Sequence, residues 1–253
     1  MENFNHDELA RTVTDAGKLL LENGAETNRV EDTMSRLCHA FGATIVDAYA
    51  TPTLLMISFT LNGQLVHNIK RVHIKETNLS KIDEVNTLSR KACAGKISFE
   101  QLQNALETIK QQKPYSTKVK LCGAAITSFG FALFFGGTLK DAVCSFMIGI
   151  IVQSAVIFFN KIHVSSIFKF TLAGFLLTAL SVFSHHFTGS GLNVVTISTL
   201  MLLVPGLAIT NAIKDSVNGD LVSGLARGVE SILTAISIAL GSGICLFLLG
   251  GFI

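Results

Sequence analysis

Five charged side chains, Lys214, Asp215, Asp220, Arg227 and Glu230, gather within 17 residues of an otherwise apolar stretch. Pro205-Gly206 stands just ahead of them. Proline removes a backbone donor and crowds the preceding turn, so it kinks or breaks a helix, and Gly206 weakens that helix further. Backbone groups released inside a membrane must line protein or water, and interrupted helices build many transporter binding sites in this way. Asn211 and Asp215 lie four residues apart and share a helix face, as do Asn211 and Lys214. Asn218-Gly219-Asp220 then turns the chain, and Gly224, Arg227 and Glu230 lead into the last apolar run. An arginine fork matches a carboxylate bidentately. Arg227 and Asp215 are therefore candidates for polar pairing with each other at the mouth of the apolar runs. The same residues also read as a polar loop with incidental charges and a commonplace membrane proline; composition leaves both readings open.

Other chemistry is thinly represented. The sequence has no P-loop, nucleophile elbow or dinucleotide fingerprint, and no nucleophile–base arrangement. An enzyme is not expected, and no cofactor is implied. His67 and His73 are six residues apart on an expected strand and share its face, which reads as an exposed polar surface rather than a metal site. The five cysteines show no metal-ligand spacing. His185-His186 stands beside a Thr188-Gly189-Ser190-Gly191 turn and reads as a solvated loop. Arg29 and Glu31 flank Val30 and read as a solvated helix side with a local ion pair.

The elements that must position these residues follow from the charge distribution. Of 38 charged residues, 29 fall in the first 120 positions and nine in the remaining 133. A charge at the bilayer centre costs roughly 2.5–3.5 kcal/mol, so the second half has been stripped for lipid. The net charge of +2 excludes the basic field that nucleic-acid binding needs. The expected fold class is an N-terminal α+β cytoplasmic domain, residues 1–113, followed by an all-α polytopic membrane domain, residues 114–253, of about five transmembrane helices.

In the first domain, Leu9, Val13, Ala16 and Leu20 recur at helical spacing before Gly24. Val30, Met34, Leu37, Cys38 and Phe41 mark a second helix that stops at Gly42. From Thr44 to Ile74 the pattern turns to strands, with Ile57, Phe59 and Leu61 on one face and Asn62-Gly63 supplying a hairpin turn. Two further helices follow, one capped by Ser80 and one opened by a Ser98–Gln101 capping box.

In the second domain, apolar runs occupy 121–139, 142–159, 170–187, 192–213 and 229–253, each near the ~20 residues that cross a bilayer. Lys140-Asp141 alone is expected to join the first two. The N-terminus MENFNHDELA has no apolar core and does not read as a signal peptide. Lys110, Lys113, Lys118, Lys120, Lys161, Lys169, Lys214 and Arg227 fall on one side of the expected spans, and Lys140 on the other. The positive-inside rule then places the N-terminus in the cytoplasm and the C-terminus outside.

The segment PG-x4-N-x3-D-x3-GD-x3-G-x2-R, carried by Pro205, Gly206, Asn211, Asp215, Gly219, Asp220, Gly224 and Arg227, resembles the signature region of the threonine/serine exporter (ThrE) family. GKLLLENGAETNRVE, with Gly17, Gly24, Arg29 and Glu31, and the TPT at 51–53 resemble its N-terminal half. The resemblance implies a plasma- or inner-membrane carrier that exports small hydrophilic metabolites. Full-length exporters continue into a second membrane half, so the chain is similar to split, YjjP-like subunits that work with a separate small four-span membrane protein. Those split members are connected with succinate export, which leaves the substrate open between amino acids and dicarboxylates. The implied partners are that substrate, the lipid bilayer, and a small membrane subunit or further copies of the chain. A membrane sensor with a cytoplasmic regulatory domain and a channel are the alternatives.

Overall fold

A computed structural model describes residues 5–73 and 77–250. They divide into two units, one made of the residues up to Lys113 together with Leu207–Gly228, the other of Pro114–Gly206 together with the residues from Val229 on.

In the first unit, α1 (His6–Glu22) opens in a capping box in which Asn5 and Glu8 satisfy each other's backbone amides. Its Leu9, Val13, Ala16 and Leu20 are fully buried. They meet Val30, Met34, Leu37 and Cys38 of α2 (Thr27–Ala40) in one core. Burial pushes the Cys38 thiol up to about 12, so it stays a protonated apolar filler. Strands β1 (Thr44–Thr51), β2 (Leu54–Leu61) and β3 (Gln64–Arg71) form an antiparallel sheet in the order β1-β2-β3. Leu55, Ile57, Phe59 and Leu61 of β2 face the core, as period-two alternation demands. Leu61 pairs with Gln64, and the two residues between, Asn62 and Gly63, have φ of 50° and 78°, the pair of positive values that a two-residue hairpin requires. The last strand ends at Arg71, and Ile74 lies outside the described residues.

Two helices complete this part, α3 (Leu79–Cys93) and α4 (Phe99–Gln111). The Ser98–Gln101 capping box opens α4 as expected. The cap of α3 is Asn78 rather than Ser80: its side chain accepts from the Lys81 amide, which puts Ser80 inside the first turn.

The second unit contains α5 (Thr117–Phe134), α6 (Leu139–Lys161), α7 (Ser166–Thr188) and α8 (Leu192–Leu200). Ile148, Val152, Ala173, Leu177, Val195, Leu203 and Ile238 make its buried core. Large apolar side chains such as Phe134, Phe187 and Phe247 are left facing outward, as lipid-facing positions are. The turn between α5 and α6 is Phe135–Thr138, not Lys140-Asp141. Thr138 caps α6 and Asp141 closes the capping box from within its first turn, so both expected turn residues are helical. His185 and His186 belong to the last turn of α7 rather than to a loop.

The chain continues into α9 (Gly206–Val217) and α10 (Leu221–Leu249). Among the described residues, four helices are long and apolar enough to cross a membrane: α5, α6, α7 and α10. The apolar run at 192–213 is not one helix. Its first piece, α8, ends at Leu200, and the second begins only at Gly206. Pro205 lies in the gap, where the ring disfavours helical geometry in the preceding residue. The last three residues of the expected span 229–253 lie outside the described residues.

Candidate functional site

Glu26 holds the N-cap position of α2, and its side chain makes no capping bond. The first amide of that helix therefore needs an acceptor from elsewhere in the chain. Asp215 of α9 provides it. One carboxylate oxygen accepts from the Thr27 amide at 3.0 Å, and the other accepts from the Thr27 hydroxyl at 3.0 Å. Asp215 is fully buried, and a carboxylate at a helix N-terminus is well placed against the helix dipole.

The carboxylate is also paired. Arg227 Nε lies 3.3 Å from Asp215 Oδ2, with the two side chains 6% and 0% exposed. Arg227 Nη2 donates to the Ala25 carbonyl at 2.9 Å. Asn211 Nδ2 donates to the neighbouring Gly24 carbonyl at 2.8 Å. Lys214 reaches Glu26 at 2.7 Å, a half-exposed pair that contributes little to stability. The turn between α1 and α2 is thus held at both of its polar ends: its carbonyls by Asn211 and Arg227, its amide by Asp215.

Local backbone geometry places these groups. Gly219, with φ of 96°, makes the turn out of α9, and the Asp220 amide closes it by donating to the Asp215 carbonyl at 2.9 Å. Gly224 lets α10 come close to α9. A Cβ there would lie 2.1 Å from Ser216 Oγ and 2.8 Å from the Ala212 carbonyl oxygen. Arg227 stands one turn beyond Gly224, which carries its guanidinium to Asp215.

Glu31 follows Thr27 by one turn of α2, so it faces the same side. It accepts from the Ala50 amide of β1 at 2.7 Å. The local ion pair expected between Arg29 and Glu31 is replaced by this backbone contact, and Arg29 lies exposed on another face of α2. Burial raises the Glu31 carboxyl above its ordinary range, and the nearby Asp220 and Asp215 raise it further. Asp220 is also raised, by burial first and by Asp215 second. Glu31 and Asp220 thus both feel the charge of Asp215.

Of the residues singled out from sequence, Gly24, Glu31, Asn211, Asp215, Gly219, Asp220, Gly224 and Arg227 come together here. Pro205, Gly206 and Glu230 belong to the second unit. Sequence reasoning missed Thr27, Glu26 and the Ala25 carbonyl. A helix start with Glu at its N-cap, instead of Ser, Thr, Asp or Asn, was the available sign that an outside acceptor was needed. The second unit has a polar node of its own at Asp141. It accepts from the Thr138 amide and hydroxyl, each at 2.8 Å, and from the Gly191 amide at 2.6 Å, which ties the α5–α6 turn to the start of α8.

Chemically, Thr27 and Arg227 form a cradle for a carboxylate, and in this conformation the carboxylate is Asp215's own. The fold and this node define a multi-pass helical membrane protein whose N-terminal α+β unit is completed by a polar segment from late in the chain. The family profile described as "Putative threonine/serine exporter" matches residues 11–249, and the chain belongs to that family. It is similar to the "Probable threonine/serine exporter" of Mycobacterium tuberculosis, 21% identical over 88% of this chain and 43% of that protein. Similarity to the "Threonine/serine exporter" of Corynebacterium glutamicum is 24% over 90% of this chain and 48% of that protein. The chain therefore spans less than half the length of these two exporters. It is 23% identical to the "Probable succinate transporter subunit YjjP" of Escherichia coli, over 89% of each protein. No solved structure matches it.

Proposed function

We propose that the chain is one subunit of a secondary exporter, which moves threonine- or serine-type amino acids, or dicarboxylates such as succinate, out of the cell. The observation that carries this reading is the buried Asp215–Arg227 pair on Thr27, built from the family-signature segment. Both candidate substrate classes bring a carboxylate, the group this cradle is shaped to hold. In the proposed cycle the first unit faces the cytoplasm. A substrate carboxylate takes the place of Asp215 at Arg227, and the freed segment 206–220 moves the interruption at Pro205-Gly206. The similarity to YjjP, a transporter subunit by name, supports a separate partner subunit, which on the family resemblance is a small membrane protein of four spans. The broken 192–213 segment serves as the fourth of five crossings, which leaves the C-terminus outside. Export is driven by an ion gradient or runs downhill, and no chemistry is performed on the substrate.

The test is reconstitution with and without the four-span partner, followed by efflux of threonine, serine and succinate. Saturable efflux of at least one of them is expected, and its loss in Asp215→Asn and Arg227→Ala. Undiminished efflux through both folded variants refutes the mechanism.

A further inference from the structure

A cavity of about 390 Å³ opens between α1 and α4, on a face of the first unit that the exporter reading does not use. Its volume lies in the range of small-molecule pockets. Its chemistry is of mixed sign: Glu8, Arg11 and Asp15 on α1 face Lys110 on α4, with Thr12 and Gln103 between them. Glu8 and Asp15 are three residues before and four after Arg11, the spacing at which a helix normally forms its own ion pairs. Here both are engaged elsewhere. Glu8 Oε2 accepts from the Asn5 amide at 3.2 Å in the capping box, and Asp15 is bonded to Lys70 of β3. Lys110 is paired with Glu107 at 3.1 Å. Arg11 makes no ion pair among the described residues. The fork is left to whatever enters the groove, and Glu8 Oε1 and Asp15 Oδ2 take no part in the bonds just described. Gln103 Nε2 donates to the Thr12 hydroxyl at 3.1 Å, which sets a neutral polar pair beside these charges.

We propose that this groove is a ligand site for a small zwitterion, an α-amino acid, whose carboxylate binds the Arg11 guanidinium and whose ammonium meets the Glu8 carboxylate one turn away along α1. The Thr12–Gln103 pair meets a polar side chain. Neither a dicarboxylate nor a diamine satisfies both ends: the first sets a negative group against Glu8, the second a positive group against Arg11. The consequence for export rests on the function proposed above. Helix α1 runs unbroken from this groove to the turn whose Gly24 and Ala25 carbonyls are held by Asn211 and Arg227, so occupancy at one end bears on the latch at the other.

The experiment is calorimetric titration, in detergent, of the full chain carrying Asp215→Asn and Arg227→Gln, which remove the charges of the proposed transport cradle, with L-threonine, L-serine, succinate and 1,4-diaminobutane. Saturable binding of the two amino acids is expected, and none of the other two. Arg11→Gln should weaken amino-acid binding about tenfold or more, the worth of a charged hydrogen bond. Glu8→Gln keeps the capping box, because glutamine serves there as glutamate does; it should weaken amino-acid binding and leave thermal melting unchanged. Amino-acid binding that survives Arg11→Gln at full strength overturns the proposal, as does the absence of saturable binding or equal binding of succinate. None of these results bears on efflux through Asp215 and Arg227, so the two readings fail separately.

Discussion

Replacing Asp215 by asparagine changes one atom's identity and removes one charge from the latch. Asparagine Oδ1 can still accept from the Thr27 amide, but the Arg227 guanidinium, 6% exposed, then lies beside a neutral partner. Removing one member of a buried ion pair costs about 3–5 kcal/mol. The lower end applies here, because Arg227 keeps its bond to the Ala25 carbonyl. A loss of ~3 kcal/mol in local opening free energy corresponds to about a hundredfold faster amide exchange. Hydrogen–deuterium exchange of the detergent-solubilised protein reads it directly at residues 24–30. The acceleration should be confined to that turn and the start of α2, and β2 should exchange as before. Asp215→Asn combined with Arg227→Gln removes both charges, so the double variant should fall well short of the summed single effects. Unchanged exchange at 24–30 in Asp215→Asn, or strict additivity in the double variant, refutes the claim that this pair holds the turn.

Three further outcomes are expected. Gly224→Ala puts a Cβ against Ser216 Oγ and the Ala212 carbonyl oxygen and should lower the melting temperature by several degrees, whereas Gly206→Ala, with open space around it, should not; Ser216→Ala should rescue Gly224→Ala only in part, because the backbone oxygen remains. Glu31 has an ordinary value of 4.5 and is raised in the fold, so the native state binds its proton more tightly than the unfolded chain, and its contribution to stability falls as pH rises from near 4 through its raised native value. Glu31→Gln retains an acceptor for the Ala50 amide and should flatten that part of the pH–melting profile and raise stability at pH 7; a variant that melts lower at pH 7 sinks the argument. Asp141→Ala removes the acceptor for Thr138 and Gly191 and should cost about 1–3 kcal/mol per amide left without a partner, read as lower melting and faster proteolysis at 135–138 and 189–191.

What could be read from the chain alone was whatever depends on near neighbours or on bulk composition. Alternation along β2, the Asn62-Gly63 turn and the Ser98–Gln101 box are all settled within a few residues, and the division between charged and apolar halves is a property of composition. Misreadings arose where two local solutions competed. Asn78 and Ser80 are both capping residues, and the earlier one wins. Lys140 and Asp141 look like a polar turn by charge, yet Thr138 needs Asp141 inside the helix to complete its box. Hydropathy ran straight through 192–213, although the helix ends five residues before Pro205. The site itself was legible as a set of residues and not as a structure. Asp215 and Thr27 are separated by 188 positions, and no spacing rule connects them. The pairing of Arg227 with Asp215 was readable from the sequence, whereas the turn at 24–27 that both residues hold was not.

The first unit is assembled from two stretches that a ribosome delivers at very different times. Residues up to Lys113 emerge early, and Leu207–Gly228 only after the hydrophobic helices between them have been synthesised. Until then the Thr27 amide and the Gly24 and Ala25 carbonyls have water for partners, and the N-terminal unit is unfinished however well its own core has formed. Its completion therefore reports that α5 to α8 have been made and that the chain has returned. In a chain that has not yet delivered residues 207–228, the turn at 23–27 is therefore open to solvent.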